Sequence, residues 1–167
     1  SPYLAYLPYA CDQADAPGEL KDILLRQHII LDRYVPSNLA HQAAKVPKRE
    51  RDALIAHIEE GTYERLGAVR PDFVIVLDMP VEVSLDLVKK RGGEKDQHER
   101  NIDYQRSVRE VYRDLAAERN NWFLVKCAKD GKPLAEALIH GRIIKVIQQM
   151  LTDNHSDQSL FSLPASV

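Results

Sequence analysis

The sequence has little of what marks several large classes of protein. Its 167 residues include only two cysteines, Cys11 and Cys127, and their spacing fits no metal site. So few cysteines argue against a disulfide framework and favour a reducing compartment. No apolar run approaches the ~20 residues of a membrane span, and the first residues lack the basic and then apolar pattern of a signal peptide. We therefore expect a cytoplasmic protein without a membrane partner.

An excess of charge of one sign is also lacking. Charged residues make up 29 % of the chain, but the formal net charge is only −2. Proteins that coat nucleic acid need a large cationic surplus to neutralise the phosphate backbone, so nucleic acid is not an expected partner. A small phosphate ester needs only two or three well-placed cations, and such a ligand stays open.

Three short apolar runs are present, and each is continuous rather than alternating. They cover residues 28–31 (HIIL), 73–77 (FVIVL) and 122–125 (WFLV). Runs of this kind are typical of strands that are covered on both faces in a parallel sheet. We expect three such strands here.

Segments with helical spacing of apolar residues lie between and after these runs. They cover residues 54–66, 81–88, 108–115 and 134–147, with Pro80 and Pro133 expected at helix starts. Strands that alternate with helices indicate an α/β fold, a parallel sheet flanked by helices.

One α/β domain is expected over residues 1–151. Residues 152–167 turn polar and lose the periodicity, which indicates a C-terminal tail. Residues 91–100 (RGGEKDQHER) hold two glycines and no large apolar side chain. They are either a mobile lid over a phosphate site or an ordinary solvated loop, and composition alone favours the loop.

The segment after the first apolar run is the most informative one for function. Asp32 and Arg33 follow the run directly, at the rim where open α/β sheets bind ligands. The planar guanidinium of Arg33 suits a phosphate dianion, and Asn38 offers both a donor and an acceptor to a base. A local Asp32–Arg33 ion pair with Ser37 as a helix cap explains the same spacing equally well.

Residues 32–42 (DRYVPSNLAHQ) closely resemble the D-R-Y motif of thymidylate kinases. Upstream, residues 7–13 (LPYACDQ) resemble the family's helix that carries an aromatic residue and, four positions later, an arginine. Downstream segments resemble, in the family's order, the next strand with its approach and end, the lid and the helix after it (residues 63–83, 91–99 and 101–112). The resemblance covers nearly everything up to residue 151.

The resemblance implies roles for the two matching positions of the upstream helix. Tyr9 would stack on the thymine ring, although a tyrosine used only for packing is the commoner case. Gln13 stands where many family members have an arginine at the base edge, so this chain lacks that positive charge. Gln13 could still pair with the base through one donor and one acceptor.

The D-R-Y segment would hold the rest of the acceptor nucleotide. By resemblance, Arg33 would bind the monophosphate, and Asp32 would act through the metal–water shell or by orienting Arg33. Asn38 would read the base, with Ser37 beside it in the substrate site. His41 falls where a Tyr or Phe often lies under the deoxyribose, although an ordinary surface histidine is the simpler interpretation.

The ATP side is represented by two further segments. Arg91 and Lys95, with His98, would be the lid cations that neutralise charge on the transferred phosphoryl group, which is most of what this chemistry demands of a protein. Residues 128–132 (AKDGK), including Ala128, Lys129 and Lys132, resemble the loop that lies along adenine, although a plain turn is the default. The resemblance implies ATP with Mg²⁺ and dTMP as partners, and a homodimer.

The glycine-rich loop G-x-x-x-x-G-K-[ST], whose backbone cradles the phosphates of ATP, does not occur in these residues. In the family it lies at the N-terminus, with the first strand before it. Either this sequence is a fragment of a complete kinase, or the chain never had the loop. We expect an upstream segment, because the neighbours of a missing central strand would leave backbone groups unpaired in the interior.

Three functions stay open at this point. The first is the ATP-dependent phosphorylation of dTMP to dTDP. The second is a deoxynucleoside kinase, which Gln13 mildly favours. The third is a nucleotide-binding module without catalytic activity, which only the absent loop favours.

Overall fold

The computed structural model describes residues 1–15, 17–90 and 101–158. Two strands, β1 and β2, form a parallel pair, and a short hairpin follows them (β1 Val74–Asp78, β2 Trp122–Lys126, β3 Ala128–Lys129, β4 Lys132–Pro133). Eight α-helices surround them in the described part of the chain (α1 Pro2–Ala5, α2 Leu7–Gln13, α3 Pro17–Leu24, α4 Val35–Ala43, α5 Lys48–Glu59, α6 Val81–Lys90, α7 Ile102–Glu118, α8 Glu136–Gln158). The predicted α/β class with a parallel sheet is confirmed in this coarse sense.

The parallel pair is in register from Val74 opposite Trp122 to Asp78 opposite Lys126. Two of the three predicted strands are therefore present. Along the chain, α6 follows β1 and α7 precedes β2. Because the strands are parallel, their carboxyl ends lie at one edge of the sheet, next to the start of α6 and the hairpin.

The third predicted strand is wrong. Residues 28–31 have no regular secondary structure, and Ile30 and Leu31 are 83 % and 47 % exposed. A strand forms only by pairing with a neighbour, and in the described part of the chain β1 pairs with β2 alone. Asp32 consequently does not end a buried strand. It follows an exposed, unpaired segment.

The core lies among the helices and on one face of the sheet. Leu39 of α4 and both Leu54 and Ile58 of α5 are at most 1 % exposed, and they pack in one cluster with Val76 of β1 and Trp122 of β2. Apolar positions at i and i+4 on α5 place Leu54 and Ile58 on the same face. Among the described residues, the largest of the completely buried side chains thus lie in the helical region.

A π-helical segment, Glu60–Arg65, continues α5. Gly61 lies within it where the hydroxyl of Tyr6 would overlap any added Cβ atom. Only glycine allows this close approach, and α1 and α2 therefore pack directly against the end of α5.

Two predicted boundaries differ in the structure. Pro80 precedes α6 as expected, but Pro133 lies in β4, and α8 begins only at Glu136. The hairpin explains the difference, because Asp130 and Gly131 both have positive φ angles (50° and 71°), which a two-residue turn between twisted strands requires. Helix α8 continues to Gln158, so the segment predicted as a tail from residue 152 begins as a helix.

Among the described residues, no helix combines the length and the hydrophobicity needed to span a bilayer.

Candidate functional site

The D-R-Y turn joins the exposed segment 28–31 to α4. Arg33 has φ 69°, the left-handed region that side chains other than glycine rarely adopt. Asp32 and Arg33 are exposed, and neither makes a hydrogen bond or ion pair with a residue that the structure describes. The local Asp32–Arg33 ion pair is therefore absent. Strained backbone clusters at active sites, ligand clamps and switch regions, which makes this turn a candidate ligand site.

Two hydrogen bonds hold this turn in place. The hydroxyl of Tyr34 donates to the backbone oxygen of Gln13 in α2 at 3.4 Å, and the amide of Ser37 donates to the oxygen of Tyr34 at 2.9 Å. Burial raises the pKa of Tyr34, so its phenol stays protonated as a donor. The turn is anchored to α2 on one side and closed onto the first turn of α4 on the other.

Helix α2 contributes an exposed ring and an amide. Tyr9 is 59 % exposed, and Gln13 lies one helical turn further along the same face. The Oε1 atom of Gln13 is buried and has no hydrogen-bond partner in the described part of the chain. Because the Gln13 backbone oxygen accepts the hydroxyl of Tyr34, Gln13 lies next to the D-R-Y turn, and its contact with a base stays a prediction.

Asn38 lies deeper than a base-reading residue needs to. It is 5 % exposed, its Nδ2 donates to the backbone oxygen of Tyr6 at 3.1 Å, and its Oδ1 accepts from Nε2 of Gln42 at 3.4 Å. The amide thus ties α4 to the start of α2 in this conformation. Its contact with a base stays a prediction, and the side chain would have to exchange partners to make it.

His41 faces α7 and meets a tyrosine there. The Nδ1 atom of His41 lies 3.0 Å from the hydroxyl of Tyr104, which also donates to the backbone oxygen of His41 at 3.1 Å. Burial raises the pKa of Tyr104, and the neighbouring phenol of Tyr9 adds to this effect. Tyr9, His41 and Tyr104 are therefore neighbours, and the simpler interpretation of His41 as a plain surface residue is not supported.

Sequence analysis missed the role of Tyr112 in α7. Its hydroxyl donates to Oγ of Ser37 at 3.0 Å. Burial raises the pKa of Tyr112, while the positive charge of nearby Arg33 partly opposes that rise. The helical spacing of α7 marked Tyr112 only as a core position, because a periodic pattern does not reveal what a hydroxyl reaches.

A second feature was also missed, at the carboxyl end of β1. Asp78 is 5 % exposed and accepts two hydrogen bonds from Arg109, at 2.6 and 3.1 Å, and one from Arg113 at 3.1 Å. Its backbone oxygen accepts the amide of Cys127, whose thiol pKa is raised by burial and by the Asp78 charge. The pattern of an acid ending an apolar run was its only signal in the sequence.

The residues predicted for the ATP side are not joined to this site. Ala128, Lys129 and Lys132 lie in the β3–β4 hairpin, and no described hydrogen bond or ion pair links it to the D-R-Y turn. The tight turn favours the plain interpretation of this loop. The predicted lid cations Arg91 and Lys95, with His98, lie outside the described residues.

Residues from α2, the D-R-Y turn, α4 and α7 thus form one surface with an exposed ring, an unpaired guanidinium and several hydrogen-bonding groups. Comparison with known sequences gives this surface a context. The family model described as thymidylate kinase matches residues 4–138. The chain belongs to the thymidylate kinase family.

Individual relatives agree with this assignment. The chain is 29 % identical over 138 residues to a thymidylate kinase of Mycobacterium tuberculosis, covering 78 % of this chain and 64 % of the relative. It is 32 % identical over 152 residues to a probable thymidylate kinase 1 of Saccharolobus solfataricus, covering 90 % and 70 %. A thymidylate kinase of Leuconostoc mesenteroides is 33 % identical over 127 residues, covering 75 % and 55 %.

The resemblance inferred from the D-R-Y motif is therefore confirmed at the level of the family. The chain spans about two thirds or less of the length of most of the curated relatives that it matches. All the residues of the surface described above lie within the matched range 4–138.

Proposed function

We propose that this chain is the acceptor-nucleotide part of an enzyme that transfers the γ-phosphoryl group of ATP to dTMP. An oxygen of the dTMP phosphate attacks the γ-phosphorus, the bond to the β,γ-bridging oxygen breaks, and dTDP and ADP result. Membership of the thymidylate kinase family supports this reaction.

Arg33 carries the proposal. It is exposed, it is unpaired among the described residues, and its backbone is held in the left-handed region. A guanidinium without a carboxylate partner retains its full hydrogen-bonding capacity for a phosphate dianion. The ring of Tyr9 supplies a stacking surface for the pyrimidine, and the backbone oxygen of Gln13, one helical turn further along α2, accepts the hydroxyl of Tyr34, the residue after Arg33.

Magnesium enters as the complex with ATP, where it neutralises charge on the phosphates. Asp32 fits a role in the metal's water shell, because its carboxylate is exposed and has no described partner. Asp78 does not fit, because two arginines occupy both of its oxygens. The residues that would hold the triphosphate, and the lid cations Arg91 and Lys95, contribute from outside the described part.

We propose further that a segment outside these 167 residues completes the sheet and cradles the ATP phosphates. The free edge of β1, the exposed residues 28–31 and the partial coverage of the relatives support this. The resemblance also favours a homodimer, ATP along the hairpin residues Ala128, Lys129 and Lys132, and a cytoplasmic location.

The decisive experiment assays the full-length protein with ATP and Mg²⁺ and measures ADP and the nucleotide product. We expect dTDP from dTMP and no dTMP from thymidine. Arg33→Ala should lower kcat/KM for dTMP by about a hundredfold, since a charge-assisted bidentate contact contributes roughly 2–3 kcal/mol. Arg49→Ala, which removes an exposed arginine of α5, is the matched control and should leave kcat/KM unchanged.

Other outcomes would replace the proposal by its alternatives. Phosphorylation of thymidine but not of dTMP would identify a deoxynucleoside kinase, which Gln13 mildly favours, because glutamine lacks the charge of the arginine that many family members have there. Saturable binding of dTMP by calorimetry, without ADP release by the full-length protein, would identify a module without catalytic activity.

A further inference from the structure

In the described part of the chain, three hydroxyl groups of α7 form hydrogen bonds with α4 or with the residue that follows it. Tyr104 bonds to His41, and Oγ of Ser107 donates to the backbone oxygen of Ala44 at 3.2 Å. Tyr112 donates to Oγ of Ser37 at 3.0 Å. The contact of Ser107 lies at the end of α4, whereas that of Tyr112 lies in its first turn, directly beside the D-R-Y turn.

The contact of Tyr112 differs from those of Tyr104 and Ser107, because its partner Ser37 also closes the D-R-Y turn. Ser37 uses its backbone amide to close the turn onto Tyr34 and its side chain to receive Tyr112. Arg33 lies near enough for its charge to act on the Tyr112 phenol. A single phenol is therefore hydrogen-bonded to the first turn of α4, at a residue three positions after Tyr34 of the D-R-Y turn.

The conformation of Arg33 makes this support necessary. A left-handed arginine costs of order 1–2 kcal/mol and persists only where the surroundings determine it. Gln13 restrains the turn from α2 through Tyr34, and Ser37 restrains it from α4. Tyr112 holds the side chain of Ser37, so loss of its hydroxyl loosens Ser37 while the backbone bond from Ser37 to Tyr34 remains.

We propose that Tyr112 is a positioning residue for the phosphate of the acceptor nucleotide, acting through Ser37 on the direction of Arg33. This inference rests on the proposed function, since it requires that Arg33 binds that phosphate. A phenylalanine would fill the same space in the core, so packing alone does not require the hydroxyl. In this proposal, the hydroxyl of Tyr112 is needed to hold Ser37 beside the D-R-Y turn.

Calorimetry on the full-length protein tests this with two ligands, dTMP and thymidine, which differ only in the phosphate. Tyr112→Phe should weaken binding of dTMP by about tenfold, the effect of one lost hydrogen bond, and leave binding of thymidine within twofold. Ser37→Ala removes the same bond from its other end and should give the same pattern. Ser107→Ala, which removes a hydroxyl from the far end of the α4–α7 contact, is the control and should alter neither affinity.

A double substitution tests the route through Arg33. In the Arg33→Lys background, adding Tyr112→Phe should change the affinity for dTMP by less than twofold, because the group that Tyr112 directs is already replaced. Equal losses for dTMP and thymidine, or unchanged binding of dTMP by both single variants, would overturn the role of Tyr112 alone. Failure of the unsubstituted protein to bind dTMP would instead overturn the proposed function, and the inference with it.

Discussion

The helical region and the sheet differ in how completely they are packed. In the helical region Leu39, Leu54 and Ile58 are at most 1 % exposed. On the sheet side, Leu77 of β1 and Leu138 of α8 are 54 % and 49 % exposed, and no described side chain of α8 is fully buried. The helices that follow the D-R-Y turn thus share a core closed by their own residues. The sheet side, like Ile30 and Leu31 just before the turn, exposes apolar surface that further polypeptide could cover.

The largest expected effect compares one leucine from each region. Leu54→Ala should lower the free energy of unfolding by about 3 kcal/mol, because it leaves a cavity in a close-packed core. Leu138→Ala should lower it by about 0.5 kcal/mol or less, since the side chain is half exposed and alanine favours the helix. Urea denaturation followed by circular dichroism measures both.

Equal losses for the two variants would show that α8 is as well packed as α5. The comparison between the two regions would then be wrong, and the exposed apolar surface of α8 would no longer support the proposed segment that completes the sheet.

The two cysteines report on local opening of the two regions. Cys11 of α2 is exposed, whereas Cys127, just after β2, is 2 % exposed and its thiol pKa is raised by burial. A thiol reagent at pH 8 should modify Cys127 about a hundredfold more slowly than Cys11, as read by mass spectrometry. The free energy of the local opening that exposes Cys127 should nevertheless be smaller than the free energy of global unfolding, because Cys127 lies on the less completely packed sheet side.

A Cys11→Ser variant isolates the slower reaction and serves as the control. If Cys127 reacts only at the rate of global unfolding, then the sheet side opens together with the helical core, and the two regions are one cooperative unit.

Much of this fold could be predicted from the sequence, because long periodic segments and continuous apolar runs determine helices and buried strands locally. The strand predicted at residues 28–31 failed for a physical reason. Its composition favours a strand, but pairing depends on a neighbour that may lie anywhere in a chain, and none is described beside it. Composition alone cannot reveal a missing partner.

The candidate site, too, could be predicted from the sequence only in part. Arg33 and Tyr9 could be found because a motif places them, and the structure leaves both exposed. The left-handed backbone of Arg33 and the hydrogen bond between Tyr112 and Ser37 could not be found. The hydrogen bond joins residues 75 positions apart, which no local pattern encodes, and nothing in the composition of residues 32–34 marks the positive φ of Arg33.

A buried charge on the sheet side gives an intermediate effect. Asp78→Asn should lower the free energy of unfolding by about 2 kcal/mol, because it leaves Arg109 and Arg113 without a charged partner beside a buried group. Glu82→Gln is the control, since it breaks an exposed pair with Arg106 and should cost less than about 0.5 kcal/mol. Thermal unfolding of both variants checks this, and equal shifts in Tm would refute it.

The smallest expected effect is a gain in the free energy of unfolding, and it is compared at one position in each region. Arg33 (φ 69°) and Asp130 (φ 50°) are the non-glycine residues with positive φ in the described part of the chain, one in the D-R-Y turn and one in the hairpin. Arg33→Gly should raise the free energy of unfolding by about 0.5–1 kcal/mol, because relief of the strain exceeds the greater entropy of glycine in the unfolded chain. Asp130→Gly should raise it less, because aspartate tolerates this region better.

Binding then separates the two substitutions. Arg33→Gly should abolish measurable binding of dTMP, and Asp130→Gly should leave it unchanged, as calorimetry on the full-length protein would measure. A gain in stability together with a loss of binding would mean that the strain at Arg33 is retained for its ligand and not for the fold. If Arg33→Gly instead destabilised the protein, the arginine side chain would be a structural element of the turn, and its exposure would have to be explained without a phosphate.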